Sequence, residues 1–227
     1  MTEKHRRRIR SFVRREGRLT PAQQRALETL WPAYGIEASS NLLDFADIFG
    51  RSAPLTLEIG FGNGASLAQM AAALPGRDFI GIEVHRPGVG KLLQRLEQEN
   101  LQNVRLICHD AVEVLQQMLP AASLDRMQIF FPDPWPKKRH HKRRLIQPEF
   151  VDLLATGICS GGLLHLATDW ENYAEHILEV LTDSADFFNT ASTSTYLPRP
   201  DFRPLTKFER RGECLGHRVR DLIYQRK

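Results

Sequence analysis

From Phe130 to Arg144 the chain reads Phe-Phe-Pro-Asp-Pro-Trp-Pro-Lys-Lys-Arg-His-His-Lys-Arg-Arg. One carboxylate, Asp133, stands between prolines, with an indole two residues on and a run of cations behind it. Each proline fixes its own φ and biases the residue before it to extended backbone, so Asp133 is aimed before any ligand arrives. An acid held in a stiff loop after an apolar stretch, beside an aromatic and a cationic track, suits gripping a nucleobase while phosphates lie alongside.

A second constellation is Leu57-Glu58-Ile59-Gly60-Phe61-Gly62-Asn63-Gly64, an apolar strand running into a glycine-rich turn. Gly60, Gly62 and Gly64 let the backbone approach a ligand closely and leave the N–H groups of a following helix to bind it. With Ala65 the spacing also fits the dinucleotide pattern, so a nicotinamide cofactor stays in play. Glu58 weighs against it, because a negative charge before the turn is a poor neighbour for a pyrophosphate. The same charge suits the ammonium and sulfonium of S-adenosylmethionine. Glu83, after the next apolar run, is placed to accept ribose hydroxyls under either reading. Asp110 is a candidate acceptor for an adenine amino group and equally a helix cap.

The elements that must position these residues follow from periodicity. Leu55–Ile59, Phe79–Val84, Val104–Cys108, Met127–Phe131 and Leu163–Ala167 read as strands, being short, apolar and ended by Gly, Pro or Asp. Helical spacing is predicted for Ser66–Leu74, Pro87–Asn100, Ala111–Met118, Pro148–Ile158 and Trp170–Asp183. A final strand is expected near Arg218–Tyr224, and a short helix or loop near Leu205–Arg211. Strands alternating with helices predict an α/β fold, a doubly wound, mostly parallel sheet with helices on both faces. In such a sheet Glu83, Asp110, Asp133 and Asp169 all fall at the carboxyl edge, where ligands bind.

The formal net charge of +4 conceals a segregation. Residues 1–18 carry +6, Lys137–Arg144 another +6, and the remainder −8. A basic arm and a basic loop on an acidic body form the footprint of a polyanion partner. The chain has 227 residues and 42% hydrophobic content, enough for one full domain with decorations. Residues 1–40 are expected to be a basic N-terminal arm of flexible composition, and 41–227 the catalytic domain. No apolar run approaches the roughly 18 residues that span a bilayer, and no signal peptide follows the basic start, so a cytoplasmic protein with no membrane partner is expected. Cys108, Cys159 and Cys214 are isolated, and no His spacing suits a metal, so neither a disulfide framework nor a metal site is predicted.

Four ordered segments resemble the bacterial tRNA (guanine-N7-)-methyltransferases: Glu58–Gly64, Phe131–His140, Ala167-Thr168-Asp169, and Thr206-Lys207-Phe208-Glu209. The resemblance runs from about Leu42 to the C-terminus. It implies a Rossmann-like class I fold and transfer of the methyl group of S-adenosylmethionine to N7 of a guanosine in the tRNA variable loop. By the same resemblance Glu58, Glu83, Asp110 and Asp133 contact the donor, with Asp133 also catalytic. Lys137, Asp169, Thr206, Lys207, Phe208 and Glu209 are assigned to the substrate, and Arg139, His140, His141, Lys142, Arg143 and Arg144 to the RNA. No metal and no obligate protein partner are implied beyond tRNA, which leaves a monomer or homodimer.

Guanine N7 already carries an in-plane lone pair, so its methylation needs no base. Carboxylates are expected to hold the guanine edge and oppose the charge the purine acquires, and Asp133, Asp169 and Glu209 are the candidates. An enzyme methylating an exocyclic amine is the nearest alternative, since such enzymes use a related proline loop. Trp135 is expected either to stack on the base or to close the sheet edge.

Overall fold

The computed structural model describes residues 11, 17–191, 195–206, 209, 210, 212 and 216–227. Seven strands form one sheet in the order β3-β2-β1-β4-β5-β7-β6. They are β1 (Leu55–Ile59), β2 (Asp78–Ile82), β3 (Val104–Ile107), β4 (Leu124–Phe130), β5 (Ile158–Thr168), β6 (Phe187–Asn189) and β7 (Arg220–Arg226). The first five in that order are parallel, and β7 runs antiparallel to both β5 and β6. Helices α1 (Pro21–Thr29), α2 (Trp31–Tyr34), α3 (Phe45–Phe49), α4 (Ala65–Ala73), α5 (Arg86–Gln98), α6 (Ala111–Gln117), α7 (Pro148–Gly157) and α8 (Glu171–Thr182) accompany it.

The chain reverses its direction across the sheet between β1 and β4, so the loops after these two strands flank a crevice at the carboxyl edge. The strands flanking it are buried throughout most of their length, which is why they read as continuous apolar runs. Two apolar clusters fill the fold, one including Ile129, Leu166 and Ile177, the other Leu67, Leu92 and Leu106. Helix α5 shows how sequence makes an element. Pro87 sits in its first turn, Val89, Leu92, Leu93 and Leu96 are fully buried along one stripe, and Asn100 follows the helix with φ +49°. Each of those leucines adds about 1.5–3 kcal/mol by leaving water.

Three differences from the expected elements bear on the site. Strand β5 begins at Ile158, directly after α7, because Cys159–Gly162 joins the strand through a bulge at which Gly161 has φ +81°. The C-terminal strand is present but antiparallel, and the short β6 beside it was not foreseen. Residues from Thr20 to Ile36, assigned to the arm, are instead packed on the domain. Thr20 forms a reciprocal capping box with Gln23, whose amide reaches Pro87 O at 3.0 Å, while Ile36 N donates to Leu106 O at 2.8 Å. Ala26 and Tyr34 are buried there. No helix among the described residues is long and apolar enough to cross a membrane.

Candidate active site

The crevice is built first by backbone conformation. Gly60, Gly62 and Gly64 have φ of +76°, +59° and +70°, and Gly64 opens α4. Side chains rarely adopt that region, so glycine is required for the turn. The turn is locked to the neighbouring strand by Glu83. Its carboxylate accepts from Gly62 N at 2.8 Å, Val84 N at 2.7 Å and His85 N at 3.0 Å. Three backbone donors hold Glu83 rigidly and leave part of its lone-pair capacity for a hydroxyl.

Asp110 Oδ1 caps α6 by accepting from Val112 N at 3.0 Å, and the residue also lines the crevice. Capping and ligand contact are thus compatible. Asp133 is exposed on the opposite wall, next to Pro132, Phe131 and Leu145. Together these residues surround a cavity of about 220 Å³ that shares Val84 and His109 with an adjoining cleft of about 780 Å³. The cavity alone is small for a nucleoside ligand, and the two together give ample room. Three carboxylates wall it, and among the described residues lining it there is no Lys or Arg. The electrostatic character of this smaller cavity fits a cationic group, while Arg86 lines the adjoining cleft.

Glu58 does not reach this cavity. Neighbouring residues of a strand face opposite sides, so while Ile59 lines the cavity Glu58 points behind it to its register partner Gln128, whose Nε2 donates to Oε2 at 2.8 Å. Burial pushes the Glu58 carboxyl up to about 7, against the hydrogen bond from Gln128 and with a further push from the charge of Glu83. Gln128 Oε1 is buried beside it without a partner among the described residues.

The Asp133 loop is strained at both ends. Phe131 has φ +52° and Trp135 +44°, each costing roughly 1–3 kcal/mol for a non-glycine residue. Phe131 N donates to Ala167 O at 2.8 Å, which continues the β4–β5 pairing past the strand end and sets the loop beside Asp169. Trp135 is half-buried. Its Nε1 donates to Ser11 O at 3.0 Å, Arg143 lies over its ring at 5.0 Å, and His140 meets it edge-on. One face of the indole is thus taken by Arg143, and the ring is only partly buried.

Lys137, which precedes a short 3₁₀ helix (Lys138–Arg143), is exposed, as are Lys138, Arg139 and Lys142. Loss of hydration, followed by the surrounding cations, lowers the imidazoles of His140 and His141 below their usual value. Arg144 departs from the RNA assignment: it is buried, with its donors spent inside the protein.

Asp169 Oδ2 is 3.3 Å from His217 Nδ1, which brings the end of β5 to the C-terminal segment. Thr206 Oγ1 accepts from Glu209 N at 3.0 Å, while Lys207 and Phe208 lie outside the described residues. Glu209 is buried, and both its carboxylate oxygens accept from Arg203 at 2.7 Å. It is therefore committed within the protein rather than open to a base edge. Arg203 also donates to both oxygens of Asp221, which accepts from His165 as well. Burial opposes the Arg203 charge, but its bonds to Glu209 and Asp221 prevail and raise its pKa. Arg203 and Asp221 were missed by reasoning from sequence. The available signal was Asp221 itself, a carboxylate directly before the apolar run Leu222-Ile223-Tyr224, where burial demands a cation.

Comparisons with known proteins agree with this architecture. The family model described as "Putative methyltransferase" matches residues 52–222. The chain is 58% identical over 226 residues to the tRNA (guanine-N(7)-)-methyltransferase of Alcanivorax borkumensis, covering 100% of this chain and 95% of that protein. It is 60% identical over 222 residues to the protein of the same name from Idiomarina loihiensis, covering 98% and 91%. Among solved structures, the 16S rRNA methyltransferase KamB superposes with a TM-score of 0.57 at 14% identity, covering 82% of this chain and 94% of that one. The precorrin-6y C5,15-methyltransferase of Geobacter metallireducens gives 0.51 at 15%, covering 79% and 88%. These two share the Rossmann-like fold alone.

Proposed function

Given that this chain belongs to the bacterial tRNA (guanine-N(7)-)-methyltransferase family, we infer that it transfers the methyl group of S-adenosylmethionine to N7 of a guanosine in the tRNA variable loop. The observation that carries the site assignment is the carboxylate-walled cavity at the strand ends, lined by Glu83, Asp110 and Asp133 and by no described cation. When bound, S-adenosylmethionine supplies an electrophilic methyl on a positive sulfur.

Glu83, held by three backbone donors, has its remaining lone pairs for the ribose hydroxyls, and Asp110 accepts from the adenine amino group while it caps α6. Gly60, Gly62 and Gly64 let the donor's amino-acid end lie against the backbone. Glu58 acts from behind this wall, through Gln128 and the glycine turn. Asp133 faces both donor and guanine. The N7 lone pair forms the new N–C bond while the C–S bond breaks and its electron pair stays on sulfur, so no proton moves and no base is needed. Asp133 and Asp169 orient the guanine and oppose the positive charge that develops on it. Alignment of nucleophile, methyl and sulfur accounts for roughly 7–11 kcal/mol of barrier lowering in comparable intramolecular reactions. Lys137, Arg139, His140, His141, Lys142 and Arg143 contact the tRNA backbone, Thr206, Lys207 and Phe208 complete the base pocket, and the enzyme works in the cytoplasm as a monomer or homodimer without a metal.

The deciding experiment incubates unmodified tRNA with labelled donor and analyses the nucleosides. Appearance of 7-methylguanosine is expected, and a methylated exocyclic amine would instead assign the alternative reaction. Asp133→Ala should remain folded and lose nearly all activity, so normal turnover by that variant would remove Asp133 from its role.

A further inference from the structure

We propose that Arg144, the last cation of the basic run, is a positioning residue that fixes the Asp133 loop against the first turn of α8, just after Asp169, and makes no phosphate contact. The proposal rests on the assignment of Asp133 and Asp169 to the methyl-transfer site. Arg144 is 3% exposed, whereas its neighbour Lys142 is open to solvent. Its Nε donates to Pro134 O at 3.0 Å, the carbonyl immediately after Asp133. Its Nη2 donates to Asn172 Oδ1 at 2.8 Å and its Nη1 to Asn172 O at 3.4 Å, three residues after Asp169. The guanidinium lies 4.9 Å over the ring of Tyr173 and 3.2 Å from His141 Nε2.

Two properties separate this arrangement from ordinary packing. First, no carboxylate among the described residues lies within ion-pair distance of Arg144, so a buried charge is held by carbonyls, an amide and an aromatic face. A neutral side chain would fill that space at less desolvation cost, which implies that the planar fork serves the two segments. Second, the loop it grips is the one carrying left-handed backbone at Phe131 and Trp135. Such conformations persist only where surrounding contacts over-determine them. Proline contributes no N–H, so the carbonyl of Pro134 is the one backbone handle that residue offers. A lysine in place of Arg144 would keep the charge but not the geometry that spans Pro134 and Asn172.

The test uses the full-length enzyme with unmodified tRNA and S-adenosylmethionine. For Arg144→Lys and Arg144→Gln, kcat should fall at least about tenfold through misplacement of Asp133. KM for tRNA and the slope of log Kd against log salt should stay at the parent values. Lys142→Ala should instead lower that slope by about 0.7–0.9 with a smaller change in kcat. Asn172→Ala, which removes the far anchor and leaves the guanidinium itself in place, should lower kcat in the same direction as Arg144→Lys and supports the proposal even if Arg144→Gln does not fold. Parental kcat in Arg144→Lys overturns it, as does a reduced salt slope in Arg144→Gln or a lowered Tm with unchanged kcat at low temperature. Absence of 7-methylguanosine with the parent enzyme would count against the functional reading itself, and the salt slopes would still report whether Arg144 touches phosphate.

Discussion

Two buried charges show how residue-scale physics shapes this site. Glu58 holds its proton up to about pH 7 in the fold, whereas the ordinary value is 4.5. The stability associated with the neutral form is complete below 4.5 and is lost as pH rises through 7, a loss of about 3 kcal/mol at most. Glu58→Gln should therefore match the parent at pH 4 and exceed it by up to about that amount at pH 8, as measured by urea unfolding. A glutamine there also offers an N–H to Gln128 Oε1. Arg203 presents the opposite case, a cation already matched by Glu209 and Asp221. Arg203→Met leaves two buried carboxylates uncompensated and should destabilise by about 3–5 kcal/mol, visible as a lowered urea midpoint. A change below 1 kcal/mol would show that the cluster is solvated in solution.

At the scale of elements, the glycine turn and the first turn of α5 act as one unit. A Cβ on Gly88 would stand 2.1 Å from Gly62 O, so α5 sits against the turn only because that position is glycine. Gly88→Ala should push the helix away, cost about 1–3 kcal/mol of stability and weaken S-adenosylmethionine binding measured by calorimetry. Parental donor affinity in this variant would mean that the turn keeps its shape without α5. Much of this level was legible beforehand. The strand ends carrying Glu83, Asp110, Asp133 and Asp169, and the α5 stripe, follow from short-range periodicity. Antiparallel β7 and β6 did not, because pairing direction depends on partners far away in the chain. The packing of α1 on α5 was hidden for a related reason: one capping box and a few apolar residues look like arm until α5 supplies the surface they bury.

For the whole molecule, charge segregation predicts how binding responds to salt. Replacing Lys138, Arg139 and Lys142 together by alanine should reduce the salt slope of tRNA binding by up to about 2.7 while leaving donor affinity unchanged. An unchanged slope would move the RNA footprint elsewhere on the surface. Sequence by itself determined the α/β class and the crevice edge on which Asp133 stands, because prolines, glycines and strand-ending acids act on the backbone within a few residues. It also marked the Lys137–Arg144 run as a single basic block. Only the tertiary structure divided that block, exposing Lys142 and burying Arg144 between Pro134 and Asn172. It likewise turned Glu58 from the cavity to Gln128 and Glu209 inward to Arg203. Burial and hydrogen-bond partnership are long-range properties. A residue's type sets what it can do, but the groups folded around it decide whether it meets ligand, solvent or protein.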